Sequence, residues 1–296
     1  MNAPLVVDAI GWRAHAALVR SGGATTPVPG FADAPYACAG GELIAFADRS
    51  AAMHPRMVVV SEPTQRLAGR RLHIGGMTPW RCPSLPANDA DALVRGCEAL
   101  RHDLPRVGKP RGFAAMLAGQ TPEFPLAGAA ELVRRFARAL RNASPDALYD
   151  AASRLLGVGV GLTPSGDDLV GAALFARRMM ADSGDDALAL HGAVARLVDA
   201  SHSRTHAIGA ALFRDLVMGE SFAPLHHLAN TVGCGGPREH AIDAARALVA
   251  VGHSSGWEML AGFVLGISGT LTPGTLTPRT LTPWTLPPRG RDLETT

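Results

Sequence analysis

The densest chemical signal in this 296-residue chain is Gly157-Val-Gly159-Val-Gly161-Leu-Thr163-Pro164-Ser165-Gly166-Asp167-Asp168. Glycines at alternate positions free the backbone to bring bare peptide groups within hydrogen-bonding reach of a ligand. A helix start follows: Thr163 or Ser165 suits the N-cap, Pro164 the first helical position, and Ser165 to Asp168 a capping box. A glycine loop opening into a helix N-terminus offers N–H groups and positive potential to an anion. Gly159, Gly161, Thr163, Ser165 and Gly166 are therefore expected to contact a phosphate or carboxylate. Asp167 and Asp168 are candidate ligand residues and candidate Mg²⁺ ligands toward a phosphate-bearing substrate. The plainer account is a macrodipole-stabilised helix start with glycines that permit close packing. Two adjacent acids exceed what such a cap needs.

A second segment, Gly252-His253-Ser254-Ser255-Gly256-Trp257-Glu258-Met259-Leu260-Ala261-Gly262, echoes the first. Each has Ser-Gly, an acid two residues later and a further glycine. Either two helices start alike and pack through small residues, or both N-termini face one anion pocket. Ser255 and Gly256 join the candidates, with His253 just ahead of the Ser254-Ser255-Gly256 turn. Between the motifs lies Asp199-Ala-Ser-His202-Ser-Arg204-Thr205-His206. His202 and His206 stand four apart but lack the Glu of a zincin, which favours a polar helix face over zinc. Arg204 beside Thr205 suits a carboxylate or phosphate. No Gly-x-Ser-x-Gly elbow occurs, and Cys234 reads as a loop cysteine as readily as a reactive one. Chemistry here would rest on positioning and charge stabilisation.

The elements that must position these residues change character along the chain. Strand-like runs at Pro4 to Ile10, His15 to Arg20, Glu42 to Asp48, Met57 to Ser61 and Arg70 to Ile74 predict a small β domain over residues 1–87. Helical periodicity then predicts helices at Asp89 to Arg101, Ala129 to Asn142, Ser144 to Leu156, Pro164 to Ala181, Asp185 to Asp199, Arg204 to Met218, Arg238 to Val251 and Ser255 to Gly266. The fold class expected is α+β, with a larger α-helical domain over 88–269. From Thr270, four five-residue units of the type Thr-Leu-Thr-Pro-x predict a disordered tail over 270–296.

Composition removes whole classes. The single lysine, Lys109, precedes Pro110, so no Walker motif exists, and a Schiff-base enzyme would have only Lys109 to use. A net charge of +2 with 5% aromatic residues gives no basic, aromatic-interleaved nucleic-acid surface. The four cysteines form no Cys-x-x-Cys pair, and no apolar run approaches the ~20 residues of a membrane span. These features predict a cytoplasmic protein with reduced thiols, whose anion chemistry would use backbone amides, hydroxyls and arginine.

The stretch Gly159-Val-Gly-Leu-Thr-Pro-Ser-Gly-Asp-Asp168, with Gly252 to Gly262 and the Ser/Thr-rich helix near Thr205, resembles the AllH-like family. The resemblance runs from about residue 5 to 268. It implies a cytoplasmic bacterial subunit of an oxamate carbamoyltransferase, acting in allantoin breakdown with FdrA-type and AllG-type partner subunits. It further implies a small anionic substrate, of the oxamate or carbamoyl phosphate class, at Gly159, Gly161, Thr163, Ser165, Gly166, Asp167 and Asp168, with Ser255 and Gly256 as candidates. The chain departs from the pattern with Glu258 where the second motif is expected to carry Asp, and the Thr-Pro tail has no counterpart. A non-catalytic ligand-binding or assembly subunit is the alternative from another class.

Overall fold

The computed structural model of the chain describes residues 5–64, 67–84, 90–180 and 185–271. An N-terminal sheet region precedes a helical region, the α+β class expected. Two compact units divide the chain: Met1–Ser84 with Glu220–Ala223, and Leu85–Gly219 with Pro224–Thr296.

The first unit is a six-stranded mixed sheet built from β1 (Leu5–Ile10), β2 (Thr26–Pro27), β3 (Tyr36–Ala39), β4 (Glu42–Ala47), β5 (Met57–Val60) and β6 (Leu72–His73), in the order β2-β3-β4-β5-β1-β6. β5 runs parallel to β4 and antiparallel to β1, and all four of its residues are buried, as a continuous apolar run in a central strand requires. His15 to Arg20, expected as a strand, belongs instead to helix α1 (Trp12–Arg20). Its buried residues Ala14, Ala17 and Leu18 follow the i, i+3, i+4 period and join Ile10, Ile44, Phe46 and Val58 in one core. On the opposite side Ala45, Met57 and Val59 pack with Phe222 from the Glu220–Ala223 segment. Glu220 there is buried and accepts a 2.6 Å hydrogen bond from Arg13 Nε.

The second unit contains α2 (Ala90–His102), α3 (Leu104–Val107), α4 (Ala130–Arg141), α5 (Pro145–Leu155), α6 (Ser165–Met179), α7 (Asp185–Arg204), α8 (Ala207–Val217), α9 (Ala223–Gly233), α10 (Arg238–Val249) and α11 (Ser255–Ser268), with 3-10 turns at Gly112–Ala118 and Leu126–Ala129. Every long helix expected from periodicity is present; α9 is an addition. α6 and α11 are buried along almost their whole length, so they form the centre of the unit. Opposite Gly262 of α11 lie Leu169 and Ala172 of α6, and opposite Gly266 lie Ala173 and Ala176. Partner numbers rise together, so the two helices run parallel with their N-termini at one end. At the C-terminal end Leu271 is buried and Thr270 O accepts a 2.6 Å hydrogen bond from Arg101. The expected disordered tail lies, from residue 272 on, outside the described residues.

Candidate functional site

The glycine loop between α5 and α6 is shaped by close approach. Gly157, Gly159 and Gly161 all have positive φ (79°, 114° and 103°), and a side chain at Gly157 would run into the Arg204 carbonyl. Gly166, second in α6, lies directly against the Leu155 carbonyl at the end of α5. Its N–H donates to Val158 O (2.8 Å), while Pro164 O accepts from Asp167 N (3.0 Å) and Asp168 N (3.3 Å). These three amides, expected to be free for an anion, are thus engaged by the chain itself. Pro164, not Thr163 or Ser165, occupies the capping position, and Ser165 opens the helix.

The second motif repeats this construction. Gly252 has positive φ (63°), Gly256 lies against the Leu248 carbonyl at the end of α10, and its N–H donates to Val251 O (3.0 Å). Because α6 and α11 are parallel, the two starts sit side by side, with Thr163 Oγ1 2.7 Å from Ser255 Oγ. The motifs then cross: the Ser165 hydroxyl opposes the rise in the pKa of Glu258, and those of Ser255 and Thr163 oppose the rise in that of Asp168. The expected capping box between Ser165 and Asp168 does not form, since Asp168 turns toward the other helix.

Three acids are therefore buried together. Asp167 accepts from Gly157 N (2.7 Å) and Thr205 Oγ1 (2.6 Å); burial raises its pKa and these donors oppose the rise. Burial pushes Asp168 well above the usual carboxylate range, with Asp167 adding repulsion. One oxygen of Asp168 is buried without a hydrogen-bond partner. Glu258 is pushed up to about 8, chiefly by burial and further by Asp168, against hydrogen bonds from Ser165 and from Phe113 N–H (3.0 and 3.3 Å to its two oxygens). Gly112 makes room for this carboxyl: its φ is +54° and any side chain there would overlap Glu258. A carboxyl held this way is protonated for much of the time near neutrality and can give or take a proton. Both oxygens of Asp167 are occupied by protein donors, and no group of three or more His, Cys, Asp or Glu among the described residues is placed to hold a metal ion.

A cavity of about 430 Å³ opens beside this cluster. Lys109, Arg111 and Gly112 form one wall; Ser165, His253, Ser254 and Glu258 form another; Phe124 and Val160 stand at it as large, exposed apolar side chains. Of the candidates from the sequence, the cavity gathers Ser165 and His253. Gly159, Gly161, Thr163, Gly166, Asp167, Asp168, Ser255 and Gly256 build the structure around it without lining it. Arg204 is exposed and contributes its carbonyl to the packing at Gly157, while Thr205 serves Asp167. His206 Nδ1 caps α8 by accepting from Gly209 N (3.3 Å). Lys109, Arg111 and Glu258 are the lining groups that motif reading passed over. Lys109-Pro-Arg-Gly112, two cations in a turn between helices, is the signal for the first two, and Glu258 stands in the second Ser-Gly motif itself.

Residues 155–267 match the family model described as oxamate carbamoyltransferase subunit AllH. Over this segment the chain is AllH-like. The match begins at the last residue of α5 and ends one residue short of the end of α11, so it spans both Ser-Gly motifs and their cross-pairing. The Lys109–Gly112 wall lies outside it. No curated protein and no solved structure matches the chain. Among the described residues no helix is long and apolar enough to cross a membrane.

Proposed function

We propose that the chain is a subunit of a carbamoyltransferase-type complex and that its cavity binds a small carboxylate or phosphate ligand of the oxamate or carbamoyl phosphate class. The observation that carries this reading is the pairing of Lys109 and Arg111 with Ser165 across one cavity beside two parallel helix N-termini. Cations there balance the ligand's charge, and the Ser165 hydroxyl meets its amide or carbonyl end. The macrodipoles of α6 and α11 add positive potential even though their first amides are engaged. Asp167 and Asp168 act from behind the wall, holding the loops in place.

The assembly-subunit reading draws support from the cavity's edge, where Phe124 and Val160 are 93% and 79% exposed. Large apolar groups left in water beside a ligand site suit a surface that a partner subunit covers. Calorimetric titration of the full chain with oxamate and with carbamoyl phosphate tests the binding claim. One of the two should bind, and Lys109→Met with Arg111→Met should abolish that binding while leaving the thermal midpoint within about 2 °C, as expected for exposed side chains. Undiminished binding by the double variant refutes the site.

A further inference from the structure

Of the three buried acids, only Glu258 belongs to the cavity wall, and the Ser165 hydroxyl, on that same wall, works against the rise in its pKa. The hydrogen bonds to Glu258 come from the backbone N–H of Phe113, beside a glycine whose missing side chain provides the space. Glu258 itself is fully buried, whereas Ser165 retains 5% exposure. A ligand in the cavity thus meets the hydroxyl before it meets the acid. Asp168, by contrast, is served by Ser255 and Thr163 and does not line the cavity.

Resting on the function proposed above, we propose that Ser165 and Glu258 form a proton relay, in which Ser165 touches the ligand's amide nitrogen and Glu258 stores its proton. The step balances with an activated carbamoyl donor. As the amide nitrogen attacks the carbamoyl carbon, a C–N bond forms and the bond from that carbon to the phosphate oxygen breaks, with phosphate leaving on its electron pair. The nitrogen's proton passes to Ser165 Oγ while the Ser165 hydroxyl proton passes to the Glu258 carboxylate. In reverse, protonated Glu258 returns the proton through Ser165 to the departing amide. A base that titrates at about 8 is well matched to this duty, since a general base works best with a pKa near the working pH. Asp168 on α6 is the charged neighbour that acts on it, and Lys109 and Arg111 before the 3-10 turn, Glu123 on the following loop and His253 ahead of α11 line the same cavity.

The test uses the full chain reconstituted with its partner subunits, with carbamoyl phosphate and oxamate as substrates. The rate should rise with pH through a limb near 8. Glu258→Gln should erase that limb and lower the rate by roughly 10²–10⁴-fold, while calorimetric oxamate binding stays within about threefold. Glu258→Asp should recover part of the rate. Should Glu258→Gln not fold, Ser165→Ala carries the test, because it cuts the relay at its other member and should lose the same limb. A rate or limb unchanged in Ser165→Ala or in folded Glu258→Gln overturns the relay and leaves the binding reading standing. Failure of the unmodified chain to bind either compound overturns both.

Discussion

Replacing Gly262 by alanine tests the helix pairing on which the whole site depends. A Cβ at this position would come within 2.9 Å of Ala172 Cβ and 3.0 Å of the Leu169 carbonyl carbon, and would overlap the Leu169 oxygen outright. Carbon atoms pack at about 3.5–4.0 Å, so α11 must move away from α6 by roughly 0.5–1 Å, a gap that forfeits a quarter to a half of each facing contact. Overpacking of this kind costs about 1–3 kcal/mol, against which alanine's better helix propensity returns up to about 1 kcal/mol. The net expectation is a loss of roughly 1–2 kcal/mol. Gly192, inside α7, supplies the opposite case, since a Cβ there would meet nothing within 4 Å. Gly192→Ala should therefore stabilise by about 0.5–1 kcal/mol through backbone entropy alone. Urea denaturation followed by circular dichroism measures both variants. Equal or greater stability of Gly262→Ala relative to the unmodified chain would refute the close parallel packing of α6 and α11.

The pH dependence of stability follows from the buried acids. Because the folded pKa of Glu258 is raised from 4.5 to about 8, its contribution is fully present below about 4.5 and is lost as pH rises toward 8. Stability from urea denaturation should accordingly fall across that window, with a slope of up to about 1.4 kcal/mol per pH unit from this group, and Glu258→Gln should remove that share and leave what Asp167 and Asp168 contribute. A midpoint that rises between pH 5 and 8 equally in both proteins would contradict the assignment. Thr205→Val removes the donor to Asp167 Oδ2 at nearly constant volume, leaving a buried acceptor unpaired. It should destabilise by about 1–3 kcal/mol in the same denaturation assay; no change would mean that water readily replaces the hydroxyl.

Much of the fold was written in local patterns, and the exceptions have physical causes. β4 and β5 were legible because four or more successive apolar residues between turn signals leave few alternatives. α1 differs from the strand expected there because His15-Ala-Ala-Leu-Val-Arg20 is short and apolar, where strand and helix periods look alike until Trp12 and Ala14 are included. α9 has no clear signal in the sequence because His226, His227, Asn230 and Thr231 are weak helix formers, and burial of Leu225, Leu228, Ala229 and Val232 overrides them. At the site, Ser165 and the paired motifs were visible, whereas the Lys109–Gly112 wall lies some fifty residues upstream with no shared pattern. The lone lysine, used in the sequence to exclude other chemistries, is one of two cations in that wall.

Glu258 in place of an expected Asp illustrates how the duplicated construction becomes an asymmetric site. Each hairpin supplies the same parts: a glycine turn, a serine opening the helix, a glycine seated on the preceding helix's carbonyl, and an acid one turn later. Parallel pairing of α6 and α11 places each serine against the other motif's acid, so neither half is complete alone. The extra methylene carries the Glu258 carboxyl one bond farther from its helix than an aspartate would reach, to the Phe113 N–H and the space left by Gly112. Asp168 stays between the helices, held by Ser255 and Thr163. One carboxyl is thereby committed to the helix interface and the other to the cavity wall, and the difference between them is a single methylene group.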